Sequence, residues 1–283
     1  MTKIAIFGDT SHDLTFEIGK ELGIELIPYQ IQMGDKEYTD QVDIDSRTFY
    51  QTMAKYDVLT TGVPSPQVVI EALDRVKEEG YTDAIMIASS SKLTGMVNLY
   101  NSIKAGYEGI NLHIFDTLEI ASSAGFMTMH AAQNRNDGKS VEEILEELEN
   151  DKKNASIFAL FRTLRYVVKG GRFNKYAGLL GNILNIHPLL KSVEGEVGVV
   201  EKKRGKTKSQ MSLVEAVKEY IGESENYWIA LFSGDNDRES GEIEEKLQEQ
   251  FDKAKYVMKT QLSPVLGVHA GPKSVGISVL KFD

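Results

Sequence analysis

The sequence predicts an α/β protein made of two α/β domains, and three observations lead there. In the first half, short apolar runs that end in small or polar residues alternate with segments of helical periodicity. That alternation is the pattern of a mostly parallel sheet flanked by helices. In the second half strands and helices follow each other less regularly, as in a mixed sheet with helices, and the polar stretch Glu149–Asn154 separates the two. The domains are placed at residues 1–153 and 154–283; 283 residues are enough for two cores.

Lys3–Phe7, ending in Gly8-Asp9, reads as a buried strand that feeds a loop. Further strands are predicted at Ile24–Gln32, Asp83–Ala88 and Leu112–Phe115, with helices at Ser46–Ala54, Gln67–Glu78, Met96–Ala105 and Ala121–Asn134. Ser140 and Glu143 have the spacing of a capping box, and Val141, Ile144, Leu145 and Leu148 give that helix one apolar face. Then come a strand at Ser156–Phe161, a helical turn at Arg165–Val168 and an apolar helix at Tyr176–Ile186. Strand Val197–Lys202, helix Leu213–Ile221, strand Trp228–Phe232, helix Ile243–Phe251 and strand Ser274–Leu280 complete the order.

Composition removes several function classes. The chain is 41% hydrophobic and 26% charged, ordinary for a globular protein. No apolar run reaches the roughly 20 residues of a spanning helix, and the amino-terminal sequence reads as a first strand, so a cytoplasmic location is expected. With no cysteine and no close histidine pair, no metal or cofactor is expected. A net charge of −10 argues against nucleic acid as a partner. One run opposes that balance: Lys202, Lys203, Arg204, Lys206 and Lys208. It reads either as a solvated hairpin tip or as a docking patch for an acidic partner.

Three loops could carry chemistry. Ser65-Pro66 is a helix start whose free N–H groups attract anions, with Thr60 and Thr61 just ahead. After the strand ending at Ala88, Ser89, Ser90, Ser91 and Thr94 crowd a turn before Gly95, a setting for an oxyanion. His269 lies between Gly267 and Gly271-Pro272, in a predicted loop before the last strand. Each loop also has a plain structural reading, as a cap, a turn or a histidine bonded to backbone. A Ser–His hydrolase would use similar residues, but no G-x-S-x-G elbow occurs, and "FGDTSHDL" lacks the G-x-G-x-x-G fingerprint.

Taken together, these loops resemble the DegV family of bacterial lipid-binding proteins across nearly the whole chain. "DTSHDLT" is similar to that family's D-S-T-x-D-L start, and "GIELIPYQIQMGDKEYTD" to its strand leading into Y-x-D. "TGVPSP" stands for T-S-Q-P-S, "SSKLTG" for S-S-x-L-S-G, and "FDTLEIASSAG" for the D-S-containing turn. "LRYVVKGGRFNK" matches the K-G-G-R-I stretch and "HAGPK" the H-T-G-P-G ending. The departures are Gly62 and Val63 for Ser-Gln, Thr94 for serine, Ala121 for a frequent serine, and Ala270 and Lys273 for Thr and Gly.

The resemblance implies a two-domain protein that holds a long-chain fatty acid in an apolar tunnel and presents its carboxylate to a separate fatty acid kinase for phospholipid synthesis. It implies that Thr61, Thr94 and His269 bind the carboxylate, with Thr60, Ser91 and Gly95 as additional head-group contacts. The tunnel would be lined by Leu179, Leu180, Ile183, Leu184 and Ile186 of the apolar helix, whose Gly178 and Gly181 leave gaps for a chain. Arg172, Lys202, Lys203 and Arg204 would meet the kinase. The protein itself would not catalyse; an acyl hydrolase or transferase using Thr94 or Ser91 with His269, or a non-catalytic lipid sensor, is the alternative.

Overall fold

The computed structural model describes residues 3–171 and 186–282. β1 (Ile4–Asp9) is buried at every residue, as a strand covered on both faces must be. It pairs in parallel with β2 (Ile24–Ile27), which follows the short helix α1 (Phe16–Leu22). The predicted strand Ile24–Gln32 is therefore two strands. Pro28 lacks an N–H for a ladder, and beyond it β3 (Gln30–Met33) leaves for a different sheet.

That second sheet is small and antiparallel, ordered β4–β3–β5, from β4 (Lys36–Thr39) and β5 (Leu59–Gly62). Between these strands lies α2 (Ser46–Thr52), continued by a 3-10 turn at Met53–Lys55. α3 (Pro66–Glu78) starts at the predicted Ser-Pro pair, although the Ser65 hydroxyl makes no capping bond. The parallel sheet is completed by β6 (Asp83–Ala88), α4 (Met96–Lys104) and β7 (Asn111–Asp116), giving the order β2–β1–β6–β7.

α5 (Ala121–Asn136) is buried nearly all round because it is sandwiched between two sheets. Gly125 permits the approach: a Cβ there would stand 2.3 Å from the His12 carbonyl oxygen. α6 (Val141–Asn154) opens with the predicted Ser140/Glu143 capping box and takes Glu149–Asn154 as its last turns.

The sheet changes at β8 (Ala155–Leu160). α7 (Arg165–Lys169) follows, and then β9 (Ile186–Val193) and β10 (Glu196–Arg204), α8 (Lys206–Ile221) and β11 (Tyr227–Ser233). Where one helix was predicted at Ile243–Phe251 there are two, α9 (Asp237–Lys246) and α10 (Gln248–Lys253), which meet at buried Leu247. β12 (Tyr256–Gln261), α11 (Pro264–Ala270) and β13 (Val275–Lys281) end the chain. The third sheet runs β10–β9–β8–β13–β11–β12, antiparallel except for the pair β11–β12.

One face of this mixed sheet packs on α8, α9 and α10; the other meets α5 and the amino-terminal elements. Ser122 of α5 donates to Ser278 of β13 at 2.9 Å, a polar tie in an otherwise apolar seam. The predicted apolar helix lies outside the described residues, except that Ile186 belongs to β9. Among the described residues, no helix is long and apolar enough to cross a membrane.

Candidate functional site: an apolar cavity with polar side chains on its border

Where the parallel sheet, the small sheet and the mixed sheet meet, a cavity of about 130 Å³ is lined by residues from both halves of the chain. Leu93 of the turn after β6, Ile120 just before α5, Ile157 of β8, Val167 of α7, Leu190 of β9 and Phe232 of β11 supply apolar wall. Polar side chains enter at a few points: Ser11, Tyr29, Thr61, Thr94, Ser192 and His269.

Strand alternation places the threonines. Thr61 pairs with Ile31 on β3, which is fully buried, so Thr61 turns inward. Thr60 pairs with Gln32 and turns outward, into a polar depression with Gln30, Glu37 and Ser65. Thr94 ends the turn after β6, where its Oγ1 accepts from the Met96 N–H at 3.3 Å. Gly95 sits beside it at the start of α4 and borders the cavity, whereas Ser91 is exposed and outside the lining.

His269 is in the last turn of α11, not in a loop. Its Nε2 lies 2.8 Å from the Thr61 Oγ1, a contact between residues 208 apart in sequence. Its other edge faces Gly170, where an added Cβ would stand 2.2 Å from Nδ1. The glycine of the Lys-Gly-Gly turn thus makes room for the imidazole. Thr61, Thr94, Gly95 and His269 therefore border one cavity, and Thr60 and Ser91 do not.

Ser11 and Tyr29 also border the cavity and were not singled out from the sequence. Ser11 donates to the buried Asp9 carboxylate, and its Oγ is 2.7 Å from the Ser89 Oγ, so two strand-end loops are knitted together. The available signal was a strand ending in Asp-Thr-Ser at the carboxyl edge of a parallel sheet. Behind the wall, Ser192 of β9 donates to Glu119, and Ser90 donates to the Gly195 carbonyl at 2.7 Å. Burial pushes the Glu119 carboxyl up to about 7.

The basic run is divided by strand geometry. A bulge between Val199 and Glu201 resets β10, so that Lys202 pairs with Pro188 and Arg204 with Ile186, on the Leu190 face that borders the cavity. Lys203 pairs with His187 on the α8 face, where its Nζ is 2.5 Å from Glu201. Lys206 is 2.8 Å from Glu242. Arg172, Leu179, Leu180, Ile183 and Leu184 lie outside the described residues. No group of three metal-ligating side chains occurs among the described residues.

A largely apolar cavity bordered by a few polar side chains has the make-up of a small-molecule site. The chain belongs to the DegV family: the family described as "Uncharacterised protein, DegV family" matches residues 3–281. A DegV domain-containing protein of Clostridium acetobutylicum is 34% identical over 282 residues, covering 99% of this chain and 100% of that protein. Another from Clostridium perfringens is 31% identical over 282 residues, with 99% of each covered. Among solved structures, a DegV family protein from Thermus thermophilus, described for its fatty acid binding, superposes with a TM-score of 0.92 at 21% identity, over 99% of this chain and 100% of that one. The fatty acid kinase B3 protein of Streptococcus pneumoniae, solved loaded with linoleic acid, gives 0.83 at 19% identity, with 100% of both chains covered. The fold of this chain is thus the DegV fold.

Proposed function

We propose that this protein binds one long-chain fatty acid in the cavity and presents its carboxylate to a separate fatty acid kinase, in the cytoplasm. The observation that carries the reading is the Thr61–His269 contact on the border of an apolar cavity, with Thr94 on the same border. Two hydroxyls and an imidazole suit a carboxylate, and the walls suit an alkyl chain. Each buried methylene contributes about 0.8 kcal/mol, so ~16 carbons bring on the order of 10 kcal/mol before ordering costs. Affinity then comes mainly from the chain, and the polar side chains set its direction.

Residues 1–153 and 154–283 act as the two units that close on the ligand. Lys202 and Arg204, on the cavity face of β10, meet the kinase together with Arg172, while Lys203 is engaged by Glu201. The test is to extract the purified protein with organic solvent and identify what comes off by mass spectrometry. One equivalent of free fatty acid is expected. Turnover of an acyl ester by the protein alone would establish the hydrolase instead, and an empty extract that stays empty after incubation with fatty acid would overturn the binding itself.

A further inference from the structure

α11 carries His269 and is only seven residues long. A helix of two turns does not hold itself in place, so its position is set by what it packs against. At its middle, Gly267 abuts α2: a Cβ there would lie 2.6 Å from Phe49 Cε1 and 2.7 Å from the Tyr50 hydroxyl. At its start, the Ser263 N–H donates to Asp13 Oδ1 at 3.0 Å. Asp13 is fully buried, in the left-handed region with φ 55°, at the end of the turn that follows β1. A second buried carboxyl, Asp40, stands beside the Val265 N–H and the Thr10 hydroxyl, with neither in strict hydrogen-bonding geometry.

We infer that Asp13 and Asp40 are positioning residues for His269, a carboxyl pair that fixes the start of α11 and so sets where the imidazole stands against Thr61. The inference rests on the proposed fatty-acid site for its consequence, and on geometry for its mechanism. From Ser263 to His269 the helix rises about 9 Å as a nearly rigid rod. A displacement at the Asp13 end therefore reaches the Thr61–His269 contact of 2.8 Å almost undiminished.

The pair is also built to respond to pH. Burial pushes the Asp13 carboxyl up to about 7 and the Asp40 carboxyl up to about 8. The groups that face them are Asp9 at the end of β1, Thr10 after it, Ser122 of α5, Tyr50 of α2, Ser263 at the cap of α11 and Val265 within it. His12 lies against Asp9, and burial holds its imidazole below the usual value; Asp235 acts on Tyr50. No lysine or arginine is among these groups. Charging both carboxyls sets two anions against each other beneath α11.

The experiment uses the full chain without lipid and follows the His269 imidazole resonances by NMR, alongside displacement of a fluorescent fatty acid. Asp13→Ala is expected to move those resonances and weaken the probe on the order of tenfold, the loss of one buried hydrogen bond. Asp13→Asn should restore both, because its amide oxygen accepts the same N–H. In the wild type a further change in the His269 resonances is expected above about pH 7, and Asp40→Asn should remove it. Unmoved resonances in a folded Asp13→Ala, or no recovery in Asp13→Asn, overturn the inference. Should Asp13→Ala fail to fold, Asp40→Asn decides: an unchanged high-pH step overturns it. If the wild type takes up no fatty acid, the proposed function fails, and the NMR comparison still judges the anchor.

Discussion

Replacing Thr61 by valine is the sharpest test of the polar border. Valine keeps the branched shape that suits an edge strand and removes only the hydroxyl. Thr61 is half-buried on β5, so the change opens no cavity in the core. What it removes is the 2.8 Å contact with His269 Nε2 and a donor for the ligand carboxylate. A hydrogen bond to a charged group contributes about 1.5–3 kcal/mol, which corresponds to roughly 10–150-fold in affinity. His269→Ala should cost a similar factor. Because the two side chains touch, the double variant should lose less than the product of the single losses. Displacement of a fluorescent fatty acid measures the affinities, and thermal melts should show both single variants folded. Affinity unchanged in both would refute a carboxylate held by this pair. Strictly multiplicative losses would refute their acting together.

Three more outcomes follow from the geometry. Ala159→Phe, on the β8 wall, should exclude long chains before short ones, and equal uptake of both would move the alkyl path away from β8. Burial raises the Glu119 carboxyl from 4.5 to about 7, so this group's contribution is present below about pH 4.5 and is lost as pH rises through 7. That amounts to about 3 kcal/mol at about 1.4 kcal/mol per pH unit. Glu119→Gln should therefore gain on the wild type in urea-unfolding midpoints between pH ~5 and ~8; parallel curves would count against it. Reversing Lys202 and Arg204 to Glu should slow kinase-dependent acyl-phosphate formation, most at low salt, and leave lipid affinity in place. Unaltered rates at low salt would remove β10 from the docking surface.

Local pattern was enough for much of this protein. The apolar run of β6 predicted its ends to the residue, Asp83–Ala88, because a strand buried on both faces leaves a continuous signature. Ser-Pro predicted the start of α3, and Ser140 with Glu143 that of α6, because capping chemistry is complete within four residues. The same Ser-Pro signal stands at Ser263-Pro264, but Gly267 and Gly271 have the look of loop residues, and it is the packing of Phe49 and Tyr50 that holds α11 there. Pro28 divided a predicted strand between two sheets, and only the pairing partners reveal that.

The loops that border the cavity were legible one at a time, as hydroxyls and a histidine beside glycines. That Thr61 turns inward and Thr60 outward depends on the register of β5 against β3, which no local spacing contains. The run of basic residues looked like a single patch; strand alternation separates Lys202 and Arg204 from Lys203, and the bulge in β10 decides which of them share the face of Leu190. Residue type and period determined which segments are strands or helices and which loops are chemically equipped. Tertiary structure decided which of those side chains meet, because the contact between Thr61 and His269 spans 208 residues and exists only once three sheets have packed around α5 and α11.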